Sequence, residues 1–174
     1  MTTGYDAAVG SSPVEIRSAT LADAEAIRQI YNIEVETSTV TLDLVPRTLD
    51  QQQEYLARRN GTYAVLVACD SSGVVGFGSL SPYRDRPGYN ATAEDSIYIH
   101  RDQQGHGLGR MLLSELLVVA EAHGFHSVMA RVAAGHATSR RLHESLGFAL
   151  VGTEREVGRK FGRWIDMDLL QRML

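Results

Sequence analysis

The sequence contains a single cysteine and no long apolar run among its 174 residues. Because Cys69 cannot form an internal disulfide, the chain depends on its hydrophobic core, and a reducing cytoplasm is the expected compartment. Cys69 ends a continuous apolar run over residues 63–69, which is typical of a buried strand, so we interpret it as a core residue. No apolar stretch approaches the ~20 residues that a transmembrane helix needs, and no membrane partner is predicted.

The sequence also has neither an excess of positive charge nor a cluster of metal ligands. Its formal net charge is −4, which argues against a nucleic-acid partner. The six histidines are scattered without metal-ligand spacing, so no metal site is predicted. With 44% hydrophobic and 22% charged residues, the composition is that of an ordinary globular protein. We expect a flexible tail over residues 1–13 and one domain over residues 14–174.

The hydrophobic pattern predicts strands and helices that are mixed along the chain. Strands are expected near residues 14–17, 63–69, 74–80, 94–100, 127–133, 148–157 and 164–170. Helices are expected near residues 20–35, 48–56, 111–123 and 136–146, and a loop is expected over residues 158–162. This order indicates one α/β sandwich with a mixed sheet.

Three alternating glycines, Gly105, Gly107 and Gly109, lie between a predicted strand and a predicted helix. Without a Cβ, glycine lets the backbone approach a ligand closely, and N–H groups at a helix N-terminus attract phosphate. The spacing is neither that of a P-loop nor the Gly-x-Gly-x-x-Gly of dinucleotide-binding folds. Taken alone, the loop is compatible with a pyrophosphate site or with a glycine-rich turn that binds nothing.

Together with Gln104, these glycines form the pattern Gln-x-x-Gly-x-Gly, which resembles the coenzyme A pyrophosphate loop of the GNAT N-acetyltransferases. Residues 136–148 resemble the second coenzyme segment of that family, which closes with Leu-Gly-Phe. His143 matches a position where the family has Tyr or His, whereas His136 stands where Asn is usual. The resemblance implies the GNAT fold, a mixed, mostly antiparallel sheet flanked by helices, and acetyl-CoA as co-substrate.

Further motifs resemble the branch that acetylates phosphinothricin and methionine sulfoximine. They lie at residues 31–32, 36–40, 89, 94–99, 142–144 and 157–166. Leu42 stands where this branch often has an aromatic residue. The branch implies a cytoplasmic homodimer that acetylates the primary amine of a small amino-acid-like substrate. Two alternatives stay open: acetylation of another amine (a polyamine, an aminoglycoside or a protein N-terminus), and a non-catalytic module that binds acyl-CoA.

The resemblance assigns coenzyme binding to a strand end, the glycine loop and the start of the fourth helix. The residues are Ile97, Tyr98, Ile99, Gln104, Gly105, His106, Gly107, Leu108, Gly109, Arg110, His136 and Ser139. The backbone of residues 97–99 is expected to pair with the pantetheine arm, while the side chains fill the core. The Tyr98 region is also a candidate donor to the developing oxyanion.

Acetyl transfer to an amine with a pKa near 10 needs a base, and two adjacent carboxylates are candidates. Glu94, at the start of a buried strand, should have a raised pKa and act through a water molecule. Asp95 should project to the opposite face, and physical reasoning alone does not decide between them. The family pattern places the role at Glu94. An exposed pair at a strand end is the alternative.

The remaining predictions concern an acid and a substrate site. His143 is expected to protonate the departing thiolate or to bond the thioester; the alternative is a histidine satisfied by a neighbouring carbonyl. An arginine fork matches a carboxylate or phosphinate, so the Arg-Asp-Arg loop is expected to bind substrate, with a solvated charged loop as the alternative. The expected substrate residues are Arg84, Asp85, Arg86, Tyr89, Glu94, Asp95 and Ser96.

Overall fold

A computed structural model describes residues 14–59 and 61–174, so the predicted tail over residues 1–13 lies outside the described residues. The helices are α1 (Ala24–Thr37), α2 (Leu49–Ala57), α3 (Leu108–Ala122) and α4 (Ala137–Ser145). The strands are β1 (Glu15–Ser18), β2 (Val65–Asp70), β3 (Gly73–Pro82), β4 (Thr92–Ile99), β5 (Ser127–Ala133), β6 (Ala149–Lys160) and β7 (Arg163–Met173).

These strands form one sheet in the order β1-β2-β3-β4-β5-β7-β6. Neighbouring strands run antiparallel except β4 and β5, which are parallel because α3 connects them across one face. The mixed, mostly antiparallel sheet expected from the sequence is therefore confirmed. Within the described residues, no helix is long and apolar enough to cross a membrane.

A hydrophobic core lies on each face of the sheet. On one face, α3 buries Leu112, Leu113 and Leu116 completely, at the three- and four-residue spacing of a helix face. On the other face, α1 packs Ile27 and other apolar residues against Phe77 of β3. Each such side chain contributes roughly 1.5–3 kcal/mol when it is fully buried. The helices thereby fix the two faces of β4, where the candidate site lies.

The C-terminal hairpin is longer than the sequence indicates. The loop expected over residues 158–162 is wrong, because the strands continue to Lys160 and Arg163 and a two-residue turn joins them. Phe161 and Gly162 have φ angles of +50° and +72°, which suits a tight turn between twisted strands. Gly158 is a strand residue, where an added Cβ would lie 2.6 Å from a methyl carbon of Leu42. The glycine therefore serves packing, not chain reversal.

Lys160, the only lysine in the sequence, is buried and joins this hairpin to α1. Its Nζ donates to the carbonyl oxygen of Thr41 at 2.8 Å and to that of Glu34 at 3.4 Å. We expect Lys160→Met to lower the free energy of unfolding by about 1–3 kcal/mol, because both carbonyls lose their charged donor. Urea denaturation measures the change. Arg159→Met, at the exposed neighbouring position, is the control, and an equal loss there would contradict a specific role for Lys160.

Candidate active site

Strands β4 and β5 pair for only four residues and then separate. Residues 92–95 pair with residues 127–130, whereas residues 96–99 pair only with β3 and residues 131–133 only with β7. A cavity of about 130 Å³ opens between the two strands, and Ser139 and His143 of α4, with His136 directly before this helix, also line it. The free edge of β4 can pair with an extended chain that carries amides, as the pantetheine arm of coenzyme A does. Gln104 donates from Nε2 to the carbonyl oxygen of Ile99 at this edge.

The glycine loop borders a second cavity, of about 270 Å³. Gly105 and Gly107 have φ angles of +83° and +81°, a conformation that favours glycine. Helix α3 begins at Leu108, and the N–H of Met111 makes its bond to the carbonyl of Gly107. The N–H groups of residues 108–110 therefore remain available at the positive end of the helix. This arrangement fits a pyrophosphate.

The other wall of this cavity is α4. Gly109 and Arg110 of α3 allow this helix to pack closely against α3. An added Cβ at Gly109 would lie 3.1 Å from a methyl carbon of Leu142, so glycine permits the close approach of the helices. Arg110 donates to the carbonyl and hydroxyl oxygens of Ser145 at 3.1 and 2.7 Å. The side chain of His106 is exposed, with Nδ1 3.3 Å from the carbonyl of Gln103. Only the backbone of His106 contributes to the loop.

The strand between the cavities uses its two faces differently. Ile97 and Ile99 pack into the core under α3. The ring of Tyr98 stacks on Phe77 at 5.1 Å between ring centroids, on the face that α1 covers. The side chains of residues 97–99 thus belong to the core, while their backbone borders the opening between β4 and β5. The core position of these side chains is confirmed, and the pairing of their backbone with the pantetheine arm stays a prediction.

Glu94 and Asp95 lie in different surroundings, as adjacent strand residues should. Glu94 is half-buried beside Ser96 on the face of α1 and α2. Burial raises the pKa of Glu94; the charge of Arg131 opposes this shift, and the charges of Asp95 and Glu154 add to it. A carboxylate with a raised pKa suits a base that acts near neutrality. Asp95 is buried on the opposite face, where α4 covers it.

Asp95 and His143 form a buried pair across the coenzyme side of the sheet. Nε2 of His143 lies 3.1 Å from Oδ2 of Asp95, and Nδ1 lies 2.8 Å from the carbonyl oxygen of Ser139. A carbonyl only accepts, so Nδ1 carries a proton and a second proton is shared between Nε2 and Oδ2. Burial lowers the pKa of His143, but the hydrogen bond and charge of Asp95 and the Ser139 carbonyl outweigh it, and the net pKa is raised. Oδ1 of Asp95 has no hydrogen-bond partner among the described residues.

The raised pKa of His143 makes stability depend on pH. Its contribution is fully present below the unfolded pKa, about 6.5, and is lost as the pH rises through the higher folded pKa. We therefore expect the free energy of unfolding to fall with pH above about 6.5, and His143→Gln to flatten this slope. Urea titrations at several pH values measure it. His123→Gln is the control, because His123 makes the same bond to a carbonyl four residues earlier but is exposed. Equal slopes in the parent and His143→Gln would contradict the pair.

The Arg-Asp-Arg loop between β3 and β4 lies at the surface. Arg84, Asp85 and Arg86 are exposed, and the guanidinium of Arg84 lies 4.9 Å from the ring centroid of Tyr83 and 5.4 Å from that of Tyr89. The cavities described beside β4 are lined by other residues. The structure thus brings Glu94, Asp95, Ser96 and His143 to one strand and its neighbouring helix. The arginine loop continues from the end of β3 that pairs with Ala93 and Glu94 and lines neither of these cavities.

A family comparison matches this geometry to a known domain. Residues 16–169 match the family described as acetyltransferase (GNAT) domain. The chain belongs to the GNAT acetyltransferases. The chain is an acetyl-CoA-dependent N-acetyltransferase. The predictions of the family, of the fold and of acetyl-CoA as co-substrate are confirmed.

Individual relatives cover most of the chain. A protein from Pseudomonas paraeruginosa named L-methionine sulfoximine/L-methionine sulfone acetyltransferase is 40% identical over 90% of this chain and 92% of its own. A phosphinothricin N-acetyltransferase from Streptomyces viridochromogenes is 40% identical over 92% and 87%. The solved structure of a putative acetyltransferase from Salmonella typhimurium with acetyl-CoA is 37% identical and superposes with a TM-score of 0.91 over 94% and 95%.

The sequence motifs did not indicate a further group of residues beside this GNAT site. Arg47 lies in the connection between α1 and α2, and Arg59 lies just after α2. Both line a cavity that Ser96 also lines. Neither arginine belongs to a recognisable motif, and their approach depends on how α1 and α2 pack on the sheet. Among the described residues, no group of three His, Cys, Asp or Glu side chains could hold a metal ion.

Proposed function

We propose that this GNAT enzyme transfers the acetyl group of acetyl-CoA to the primary amine of a small amino-acid-like substrate, of the methionine sulfoximine or phosphinothricin kind. The names of the relatives support this substrate class. The structural observation that carries the proposal is the half-buried carboxylate of Glu94 beside the opening between β4 and β5. The site thus has both a candidate base and an opening in which an extended acyl donor can bind.

The backbone of this chain would hold the coenzyme. Acetyl-CoA supplies the thioester from which the acetyl group is taken. Residues 105–110 bind its pyrophosphate through N–H groups at the start of α3, and residues 97–99 pair with its pantetheine arm. His136 takes the part of the usual Asn, since an imidazole N–H can donate to a carbonyl, and Ser139 lines the same wall.

Three groups of the protein then act in the reaction: a base, a donor to the oxyanion and an acid. Glu94 accepts a proton from the substrate ammonium through a water molecule. A backbone N–H in the Tyr98 region donates to the oxyanion that develops on the acetyl carbonyl. His143 protonates the departing thiolate or bonds the thioester. Because Nδ1 donates to the Ser139 carbonyl, the proton that takes part is the one that Nε2 shares with Asp95, and it must leave Asp95. Asp95 thus acts on the substrate through His143 in this scheme, while Ser96 borders the acceptor.

The Arg-Asp-Arg loop forms the outer part of the acceptor site in this proposal. Tyr89 lies beside the guanidinium of Arg84, which donates from Nη2 to the Tyr83 hydroxyl at 3.3 Å; its other N–H groups can bind an anionic group. Asp85 and Arg86 flank this position and are exposed. We expect this loop to contact the side chain of a bound amino-acid substrate.

A thiol-release assay with acetyl-CoA and a panel of amines tests the function. The panel contains methionine sulfoximine, phosphinothricin, a polyamine, an aminoglycoside and a peptide with a free N-terminus. We expect the highest kcat/KM with the amino acids. A higher kcat/KM with a polyamine or aminoglycoside would contradict the proposed substrate class. Binding of acetyl-CoA without thiol release in the presence of any of these amines would favour a non-catalytic module.

We further propose that the enzyme is a cytoplasmic homodimer. Strand β6 is a sheet edge with exposed Leu150, Val151 and Val157, and Trp164 of β7 is also exposed. Such apolar residues on an edge strand favour contact with a second copy. Light scattering coupled to size-exclusion chromatography should give twice the mass of 19.1 kDa. A monomer at micromolar concentration would contradict the dimer.

A further inference from the structure

A cavity of about 130 Å³ lies under α1 and α2, on the face of the sheet that carries Glu94. Its walls are the rings of Tyr31 and Tyr55, two guanidinium groups and the hydroxyls of three serines. A water molecule occupies about 10–15 Å³ of such a volume, so the cavity accommodates a group of several heavy atoms. The coenzyme contacts of the proposed function lie at the other two cavities, so the acetyl donor does not account for this one.

The cavity is positively charged. Arg47 and Arg59 both line it, and none of its lining residues is Asp or Glu. Arg59 donates to the carbonyl oxygen of Leu80 at 2.5 Å and lies 4.5 Å from the centroid of Tyr55. Within the described part of the chain, Arg59 has no carboxylate within 4.0 Å, whereas Arg47 lies 3.7 Å from Asp43. At least one half-buried guanidinium therefore lacks a counter-charge.

Hydroxyl groups complete the polar lining. Tyr55 donates from its hydroxyl to Oγ of Ser79 at 3.1 Å, so the Ser79 hydroxyl keeps its own proton to donate. Ser81 and Ser96 lie on the same face of adjacent strands, because they are two residues from Ser79 and from Tyr98 respectively. Several donors thus converge on one small space, which is the pattern of an oxyanion site.

We propose that this cavity binds the anionic group, a carboxylate or related oxyanion, that an amino-acid acceptor carries next to its amine. The inference rests on the proposed function, because it names the part of the substrate that the same site recognises. Ser96 lines both this cavity and the opening between β4 and β5. An α-carboxylate on Arg59 therefore places the attached amine at β4, on the face of Glu94, where it must lose its proton.

The enclosed arginines suit this role better than the surface loop. Arg84 is exposed, so water and salt screen its attraction for a carboxylate. Arg59 is half-buried, and an ion pair is stronger where the effective dielectric constant is lower. Arg47 stacks between Tyr31, at 4.0 Å, and Tyr55, at 4.7 Å, which fixes its position. The geometry therefore assigns the α-carboxylate to the cavity and leaves Arg84 to the outer end of the substrate.

Kinetics of Arg59→Gln with two amines test this assignment: methionine sulfoximine and its decarboxylated analogue. We expect kcat/KM for methionine sulfoximine to fall by about ten- to a hundredfold, the loss typical of one charge-assisted bond. The value for the decarboxylated amine and the KM of acetyl-CoA should stay unchanged. Arg58→Gln is the matched control, because this neighbour is exposed and pairs with Glu54 on the outside of α2.

The results of these assays distinguish failure of the carboxylate site from failure of the proposed function. Equal losses with both amines, in a variant with parental thermal stability, would overturn the carboxylate site. A selective loss in Arg84→Ala but not in Arg59→Gln would also overturn it. If Arg59→Gln does not fold, Arg47→Gln and Arg59→Lys provide the same comparison, and parental selectivity in both would count against the cavity. A parent enzyme that acetylates neither amine would instead refute the proposed function.

Discussion

Glu94→Gln should lower kcat by about 10²- to 10⁴-fold, the range typical for loss of a general base. Glutamine keeps the shape of the side chain and its hydrogen-bonding capacity but cannot take a proton at neutral pH. In the parent, kcat/KM should rise with pH through the raised pKa of Glu94, since the base is active only when ionised. The variant should lack this limb, and its deficit should shrink at high pH, where the free amine is abundant.

The control for this experiment is Glu154→Gln. Glu154 contributes to the same electrostatic field and pairs with Arg131 at 2.6 Å, but it lies on β6. Its removal should shift the pH profile slightly and leave the maximal rate near that of the parent. A pH–rate profile of Glu94→Gln that matches the parent would exclude Glu94 as the base. Asp95 would then be the next candidate, and Asp95→Asn the next variant.

Local patterns in the sequence were sufficient for the elements around β4. Gly105 and Gly107 lie in the turn predicted between a strand and a helix, and α3 begins directly after Gly107. Strand alternation placed the side chains of Glu94 and Asp95 on opposite faces, as the structure has them. Such features depend on residues within one turn or one strand, so the sequence alone contains the necessary information.

Features that depend on tertiary packing could not be predicted in the same way. His143 and Asp95 are 48 residues apart in the sequence. Their contact requires that α3 connect the parallel strands β4 and β5 and that α4 pack on β4. The buried position of Lys160 and the cavity at Arg59 depend on where the hairpin and α2 meet α1. Arg84 lies in a motif that the sequence shows, whereas Arg47 and Arg59 come together only through packing, so the sequence alone could not weigh one site against the other.

Gly107→Val should weaken acetyl-CoA binding by about a hundredfold or more. Gly107 has a φ of +81°, and an added Cβ meets no atom of the protein within 4 Å, so the new side chain extends into open space at the border of the proposed coenzyme cavity. The substitution also strains the backbone from which the first N–H groups of α3 are presented. Each charge-assisted bond lost from a phosphate costs roughly 1.5–3 kcal/mol, and 1.4 kcal/mol corresponds to tenfold in affinity.

Gly124→Val separates the two effects. Gly124 follows α3 at its other end, has a φ of +76° and likewise has no atom within 4 Å of an added Cβ. The strain is therefore comparable, while the coenzyme cavity lies at the opposite end of the helix. Calorimetric titration with acetyl-CoA should show parental affinity for Gly124→Val and a large loss for Gly107→Val. Unchanged affinity in a folded Gly107→Val variant would mean that the pyrophosphate does not lie on this loop, because a pyrophosphate held by the N–H groups of residues 108–110 would lie beside the added side chain.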